Sequence, residues 1–496
     1  MTTTPTFWKG LTYSGDGLLP VGYTGAASVT ERYDNMVALP GGGFILFWAD
    51  IISYQAQVYD AEGKRQGDVI TILPYDNVAL LKSFSSIITL KDGTTLVAVD
   101  SDHNSDRDFG LLAFNPDGTL KSEDFLTTLS AEWLYKNTVH LTALADGGYV
   151  SSWHAEVNNS GTYEHMAIKR FDANGVAQNL TGGPVPWDNS DGDTSNDSGN
   201  IMARTDEVRA HDALDSTSKE TTIALATGGF VAIWVNFDND LYVRWFDENG
   251  VPKVPVATTE GNPDYPVDIN TADDKTLHQF GAVALAGGNI ALAWVEASPV
   301  FGADYHIAVY GSDGSIVLSD TNLTSDPGGG EVNSLGYRTL SAPVSIISLE
   351  DGGFAMAWLE DFLTTGAGNS RYRIKFQVFD SDGSERFAEV TLRESSQSSD
   401  TFTVPKIQQL DDGTLLLAWF EPPNGVSGAA YPFHAVRFDA QGNQVGEFFS
   451  PIDAANPTIS SESPDLAVLA DGRVLVSVDD DTQSTPFAIL DPRDSV

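Results

Sequence analysis

Apolar and polar residues follow a unit that recurs along the chain. Each copy has a short apolar run, a tight turn rich in Gly and Asp, and a second apolar run that ends on Trp or Val, as in ALADGGYVSSW and ALATGGFVAIW. The length of the runs and the Gly turn between them predict two strands joined as a hairpin. Eight copies fill the chain, and their final residues are Trp48, Val99, Trp153, Trp234, Trp294, Trp358, Trp419 and Val478.

A second hairpin signal follows each of the first seven copies. An aromatic residue, in most copies followed by Asp, precedes a Gly by four residues, and the eighth copy departs by having Leu490 in place of the aromatic. Gly adopts positive φ and an Asx side chain can bond the turn backbone, so this pattern is typical of a tight turn between strands. Each unit therefore predicts four strands, and the seven pairs are Tyr59/Gly63, Phe114/Gly118, Phe171/Gly175, Phe246/Gly250, Tyr310/Gly314, Phe379/Gly383 and Phe438/Gly442.

Four antiparallel strands in one repeat cannot bury both faces unaided, so the units must stack on one another. We predict an all-β protein with a single β-propeller domain over residues 1–496, built from eight four-stranded blades with the terminal Trp residues packed between them. A ring of seven blades with one atypical unit is the alternative. An isolated aromatic-to-Gly spacing at Tyr13–Gly17 suggests that an N-terminal strand completes the last blade and closes the ring, which removes free strand edges.

The unit also resembles a known family. LTALADGGYVSSW followed by IKRFDANG is similar to repeats of large secreted bacterial proteins that often accompany hemolysin-type calcium-binding modules, and the resemblance covers nearly the whole chain. It implies a β-propeller, an extracellular or cell-surface setting, calcium involvement and a binding or adhesive role, with no defined reaction.

The net charge of the chain excludes some classes of binding partner. The chain has 496 residues with 27 Lys and Arg against 69 Asp and Glu, a net charge of −42. Such a field repels phosphate backbones and anionic membrane surfaces, so we expect no nucleic-acid binding, and no apolar run is long enough for membrane insertion. The absence of Cys excludes disulfides and thiolate chemistry. The first residues lack the basic and apolar regions of a signal peptide, so we expect a surface location reached without one.

The long connections indicate where a ligand site would lie. Gly turns join the first strand to the second and the third to the fourth, so the remaining loops share the opposite face of the ring. The longest is a loop-rich insertion at 179–221, between the third and fourth blades. Two residues after each terminal Trp or Val, near that face, five of eight positions are carboxylates: Asp50, Glu296, Glu360, Glu421 and Asp480.

These carboxylates have three interpretations besides that of a solvated edge: a cation site, a ligand-binding rim, or an acid–base pair, for which Glu296 and Glu360 are the candidates. The predicted inner strands add polar residues at the position four before a recurring Leu. Three of these carry chemistry suited to a ligand or a proton: His140, Lys406 and Asp465.

One segment of the 179–221 insertion has the alternating oxygen donors that calcium prefers. Its candidate ligands are Asp188, Ser190, Asp191, Asp193 and Asp197. They do not complete an EF-hand loop, and a solvated acidic loop is the alternative interpretation.

The leading functional hypothesis from the sequence is a non-catalytic binding or adhesion propeller. It would recognise a polysaccharide or a surface protein through its loop-rich face, with calcium support. The alternatives are a carbohydrate-active enzyme, either a glycoside hydrolase or a polysaccharide lyase that uses the carboxylates, and a structural module of a virion or surface layer. The sequence contains no HExxH and no GxSxG, so no metalloprotease or serine-hydrolase site is indicated.

Overall fold

A computed structural model of the protein describes most of the repeat units. The described residues are 7–10, 36–49, 53–74, 84–103, 106–125, 133–135, 139–157, 164–178, 207–212, 220–235, 240–251, 253, 267–269, 276–298, 302–323, 344–363, 370–395, 402–421, 433–449, 464–477 and 487–491.

All regular elements in these ranges are β-strands, and they form antiparallel sheets in chain order. The first sheet contains β2 (Met36–Ala38), β3 (Phe44–Ala49), β4 (Ser53–Tyr59) and β5 (Arg65–Pro74). The second contains β6 (Phe84–Thr89), β7 (Thr95–His103), β8 (Asp106–Phe114) and β9 (Leu120–Phe125). The third contains β10 (Trp133–Tyr135), β11 (His140–Ala143), β12 (Tyr149–Val157), β13 (Glu164–Phe171), β14 (Ala177–Gln178) and β15 (Glu207–Asp212). The fourth contains β16 (Glu220–Ala224), β17 (Phe230–Val235), β18 (Leu241–Phe246) and β19 (Val267–Asp268).

The second half of the chain repeats the arrangement. The fifth sheet contains β20 (Thr276–Ala284), β21 (Ile290–Ser298), β22 (Gly302–Tyr310) and β23 (Ile316–Asn322). The sixth contains β24 (Ser345–Ser348), β25 (Phe354–Leu363), β26 (Ser370–Phe379) and β27 (Val390–Glu394). The seventh contains β28 (Lys406–Gln409), β29 (Leu415–Phe420), β30 (Phe433–Phe438) and β31 (Gln444–Phe449). The eighth contains β32 (Asp465–Val468), β33 (Val474–Ser477), β34 (Phe487–Leu490) and β1 (Phe7–Gly10).

The predicted turns are confirmed. The Gly four residues after the aromatic has φ between 74° and 82° in all seven pairs. In the first of them Asp60 Oδ1 accepts hydrogen bonds from the backbone N–H groups of Glu62 and Lys64, at 3.0 and 2.8 Å. Gly383 also has a packing reason, because a Cβ there would lie 2.5 Å from Leu318 of the preceding sheet.

Apolar clusters join each sheet to the next. The terminal Trp residues of the third to seventh sheets are fully buried, and Trp294, for example, packs with Trp245 of the fourth sheet. Within the described residues eight such clusters occur, and the last joins Tyr59 of the first sheet to Leu475 and Ile489 of the eighth. Truncating one of these Trp residues to Ala would cost about 3–5 kcal/mol, so they stabilise the contacts between sheets.

The N-terminal strand lies where the sequence places it. β1 pairs antiparallel with β34, with Phe7 opposite Leu490 and Trp8 opposite Ile489. A strand from the start of the chain thus completes the sheet formed by its end. The Tyr13–Gly17 segment that prompted the prediction lies outside the described residues.

The third sheet differs from the four-stranded prediction. β12 continues past the end of β11, and this extension pairs with β10, while β13 pairs with both β14 and β15. β15 belongs to the 179–221 segment, which the sequence predicts as loop-rich. β10 and β15 supply partners for backbone groups of β12 and β13 that the short β11 and β14 leave unpaired.

Candidate functional site

Three successive sheets place a Glu beside a basic side chain at the end of their second strand. Directly opposed residues of antiparallel strands, and residues two apart on one strand, present their side chains on the same face. The terminal Trp therefore shares a face with the Glu two positions later and with the residue opposite it on the third strand. The opposed pairs are Trp294 with His306, Trp358 with Lys375 and Trp419 with His434.

In the fifth sheet the carboxylate is enclosed. Glu296 is 1% exposed, and its Oε1 accepts a hydrogen bond from Trp294 Nε1 at 2.8 Å. Its Oε2 lies 3.6 Å from His306 Nε2, and the other ring nitrogen, Nδ1, lies 2.6 Å from Asp320 Oδ1. The three groups form a carboxylate–imidazole–carboxylate chain from the interior to the surface, where Asp320 is 33% exposed. A polymer cannot reach Glu296 directly in this arrangement.

In the sixth sheet the carboxylate is partly open and ion-paired. Glu360 Oε2 lies 3.0 Å from Lys375 Nζ and 3.9 Å from an Arg373 guanidinium nitrogen. Lys375 also contacts Glu389 at 2.7 Å, and Arg373 contacts Glu394 at 3.1 Å. The Glu360 side chain keeps 15% of its surface exposed. Two cations thus hold this carboxylate in a fixed position.

The seventh sheet has the most open pair. Glu421 Oε2 accepts a hydrogen bond from Arg393 Nε of the sixth sheet at 3.0 Å and lies 3.5 Å from His434 Nε2. The side chains of Glu421 and His434 are 25% and 19% exposed, and the His434 ring stacks on Trp419. Burial lowers the pKa of His434 below its ordinary 6.5, the Glu421 carboxylate opposes this shift, and the Arg393 guanidinium adds to it. The imidazole is therefore neutral at pH 7 and able to exchange a proton.

The first four sheets form without this pairing. The residues opposite the terminal positions of the first four sheets are Gln55, Gly110, Ala167 and Tyr242. None of these is basic, yet the same strands form. The basic partners in sheets five to seven are thus additions to a fold that does not require them.

The candidate residues of the inner strands lie apart from these pairs. Lys406 and Asp465, from the first strands of the seventh and eighth sheets, form an ion pair at 3.4 Å. His140 lies on β11 opposite Ser152, and burial lowers its pKa to about 4. Gly281 has the same position in the fifth sheet, and a Cβ there would lie 2.8 Å from Ile346 Cγ2 of the sixth. The first strands of the fifth and sixth sheets therefore approach each other closely at Gly281.

Several predicted residues lie outside the described part of the chain. They are Asp50, Asp480 and all five candidate calcium ligands, Asp188, Ser190, Asp191, Asp193 and Asp197. Calcium binding at this segment stays a prediction. Among the described residues no three His, Asp or Glu side chains are grouped as a metal site. No helix in the same residues is long and apolar enough to cross a membrane.

Sequence reasoning missed the partners of the carboxylates. His306, Lys375 and His434 follow their Trp residues by 12, 17 and 15 positions, because the connections between second and third strands differ in length. No fixed spacing marks the pairs, and only the strand register reveals them. A basic residue in the third apolar run is the one signal that the sequence offers.

No protein-family model and no curated protein matches the chain. The fold is similar to that of several solved structures. The polysaccharide lyase Uly1 is 9% identical with a TM-score of 0.45, over 89% of this chain and 100% of its own. The α-L-arabinanase of Penicillium chrysogenum, solved with arabinobiose, is 10% identical with a TM-score of 0.37, over 83% of this chain and 93% of its own. Prolyl oligopeptidase B from Galerina marginata is 13% identical with a TM-score of 0.40, over 80% of this chain and 48% of its own.

These neighbours correct the leading functional hypothesis. They are enzymes of β-propeller-like fold, and two of them are a polysaccharide lyase and an arabinanase. The expectation of a non-catalytic binding or adhesion propeller is therefore wrong, and its carbohydrate-active alternative is retained. Identities of 9–13% and TM-scores below 0.5 limit the likeness to fold, so the case for catalysis comes from the side chains described above. The similarities do not bear on calcium, on secretion or on a surface-protein partner.

Proposed function

We propose that the protein hydrolyses glycosidic bonds in an uncharged polysaccharide, with Glu360 and Glu421 as the two acting carboxyl groups. The observation that carries this proposal is the Glu held beside a basic side chain in two neighbouring sheets, at the same strand end and partly open to solvent. Charged groups that a fold does not need, at the end of a rigid strand, are typical of functional sites.

We further propose that the sheets are eight blades of a closed ring. The apolar clusters between consecutive sheets support this, including the cluster between the eighth and the first. The first strands of consecutive sheets also lie next to each other in space: β28 contacts β32, and β32 contacts β2. In such a ring the second strands of neighbouring blades end on one face, so Glu360 and Glu421 would contact the same ligand.

The two carboxyl groups suit different roles. Glu360 is ion-paired with Lys375 at 3.0 Å, so it is the charged group that attacks the anomeric carbon or activates water. Glu421 has one neighbouring cation, Arg393, where Glu360 has two, and the neutral imidazole of His434 lies 3.5 Å away, so we assign the proton exchange to Glu421. It protonates the leaving oxygen as the glycosidic C–O bond breaks, and it recovers that proton from water.

Charge favours a neutral substrate. The net charge of −42 repels a polyuronate as it repels a nucleic acid. The segment that carries both carboxyl groups, residues 360–437, has seven basic and 11 acidic residues, a net charge of only −4. An uncharged chain can approach this segment without an electrostatic penalty. Because such polymers are met outside the cell, we keep the extracellular location as part of the proposal.

A polysaccharide lyase is the second candidate, and one observation favours it. His434 is a neutral base, and Glu421 lies between it and Arg393. The Arg393 guanidinium is a group that binds a uronate carboxylate. Elimination needs such a base to remove the proton beside the carboxylate, after which the C–O bond breaks and a double bond forms. The overall negative charge opposes this substrate.

A product assay on neutral and uronate polysaccharides tests the proposal and separates the candidates. We expect new reducing ends from a neutral glycan, such as arabinan or a mixed-linkage β-glucan, without the ultraviolet absorbance of unsaturated sugars. Unsaturated products from polygalacturonate or alginate would identify the lyase instead. Failure to cleave either class would contradict both.

A further inference from the structure

The outer strand of the seventh sheet presents an aromatic ring to solvent beside the proposed catalytic residues. Phe448 on β31 is 40% exposed. The other exposed large apolar side chains of the described residues are Val176, Ile316 and Val317, none of them aromatic. Leaving a phenyl ring this open forfeits part of the free energy that its burial would give.

Phe448 is tied to the site through two neighbours. Its ring lies edge-on to Trp419, with centroids 6.0 Å apart and an interplanar angle of 82°. The Arg393 guanidinium lies over the ring, 5.6 Å from its centroid, and the same Arg393 donates a hydrogen bond to Glu421 at 3.0 Å. The ring is therefore held in a fixed orientation, with Arg393 over one face as a hydrogen-bond donor and with Glu421, the acceptor, bound to that Arg393.

We propose that Phe448 is the stacking platform of a sugar-binding subsite, with Arg393 and Glu421 as hydrogen-bond partners of the sugar hydroxyls. One face of a pyranose or furanose ring presents C–H groups, which pack on an aromatic ring, while its edge presents hydroxyls that need donors and acceptors. A single ring bordered by charged groups fits a sugar better than a protein partner, whose interface core needs a wider apolar patch. The neutral polysaccharide as ligand rests on the proposed function.

Affinity electrophoresis in gels that contain arabinan, β-glucan or polygalacturonate tests the subsite. Wild-type protein is expected to be retarded by a neutral glycan, and Phe448→Ala is expected to raise the dissociation constant roughly tenfold. Phe448→Trp should restore binding, because a larger ring keeps the platform. Val317→Ala is the matched control, since Val317 is 41% exposed on the outer strand of the fifth sheet. It should bind as the wild type does.

The outcomes separate this inference from the proposed catalysis. Retardation that Phe448→Ala leaves unchanged would overturn the subsite, as would a wild type that no neutral glycan retards. Retardation that depends on Phe448, without any cleavage of the same glycan, would keep the subsite and contradict the hydrolase. Equal melting temperatures of the variants and the wild type confirm that the changes act on binding.

Discussion

His434 Nε2 lies 3.5 Å from Glu421 Oε2, and Arg393 Nε donates to the same carboxylate oxygen at 3.0 Å. The imidazole thus interacts with a carboxylate and a guanidinium at the same time, in a partly desolvated position. Its protonation is set by burial and Arg393, which lower the pKa, and by Glu421, which raises it, and the two charges can be removed separately.

The first prediction concerns the pKa of His434. Arg393→Gln removes a cation that lowers this pKa, so the pKa should rise; Glu421→Gln removes the carboxylate that raises it, so the pKa should fall further below 6.5. Titration of the imidazole signals by NMR measures both. Arg373→Gln, which contacts Glu360 and Glu394, is the control and should leave His434 unchanged. A wild-type value above 6.5, or shifts of one sign in both variants, would contradict the arrangement.

The second prediction concerns stability in mild acid. His140 has a pKa of about 4 in the folded protein and an ordinary value of 6.5. Between these values the unfolded chain binds the extra proton, so the stabilisation is complete above pH 6.5 and is lost as the pH falls toward 4. The loss is at most about 3 kcal/mol. His140→Gln should reduce this slope in urea unfolding measured between pH 7 and 4.5, and the remaining slope includes that of His434, whose pKa is also lowered.

That pH range isolates the histidine from the acidic turns. Thr94 lowers the pKa of Asp92 by donating its backbone N–H, against the opposing effect of burial. In Asp412 burial raises the pKa, but the hydrogen bonds from Thr414 and the charge of Arg437 together outweigh it, so the pKa is lowered. Such carboxylates lose their stabilisation only as the pH falls below about 4, in wild type and variant alike. Identical slopes above pH 4.5 in the two proteins would contradict a neutral imidazole at His140.

The third prediction compares two buried tryptophans. Trp294 Nε1 donates to Glu296, whereas Trp358 Nε1, equally buried, has no acceptor among the described residues. Trp294→Phe removes a hydrogen bond to an enclosed carboxylate, so it should cost about 1–3 kcal/mol more than Trp358→Phe. Chemical unfolding of the two variants gives the difference. Equal losses would mean that the Trp294–Glu296 bond contributes nothing.

The fourth prediction tests the closure of the ring. Deleting residues 1–10 removes β1 and leaves β34 as a free edge, which should lower the melting temperature and promote association through the exposed strand. Deleting residues 1–5, which stops short of β1, is the control. Equal melting temperatures for the two truncated proteins would show that β1 does not stabilise the last sheet.

The sequence alone is sufficient for most of the strands. Gly383 and its six counterparts mark tight turns because the backbone conformation they adopt is costly for other residues, and Trp358 and its equivalents mark second strands because a large apolar ring must be buried. These signals depend only on neighbouring residues, so they can be recognised in the sequence.

The site depends on register, which the sequence does not display. The position of Glu360 after Trp358 makes it a candidate in the sequence. Lys375 becomes its partner only because a hairpin of variable length places Lys375 opposite Trp358. The burial of Glu296 beside His306 was equally invisible, since it depends on the neighbouring sheet. β15 was hidden for the same reason, because it pairs with a strand extension that no pattern marks.

The most direct test of a glycan-cleaving site is the initial rate of Glu421→Gln and Glu360→Gln on the neutral polysaccharide that the wild type degrades. Each variant should lose a hundredfold or more, roughly the contribution of one positioned acid or base, at an unchanged melting temperature. Glu350→Gln is the matched control, an exposed carboxylate in the turn before β25, at the strand end opposite to Glu360, and it should retain its rate. Full activity in Glu421→Gln and Glu360→Gln would contradict the catalytic assignment.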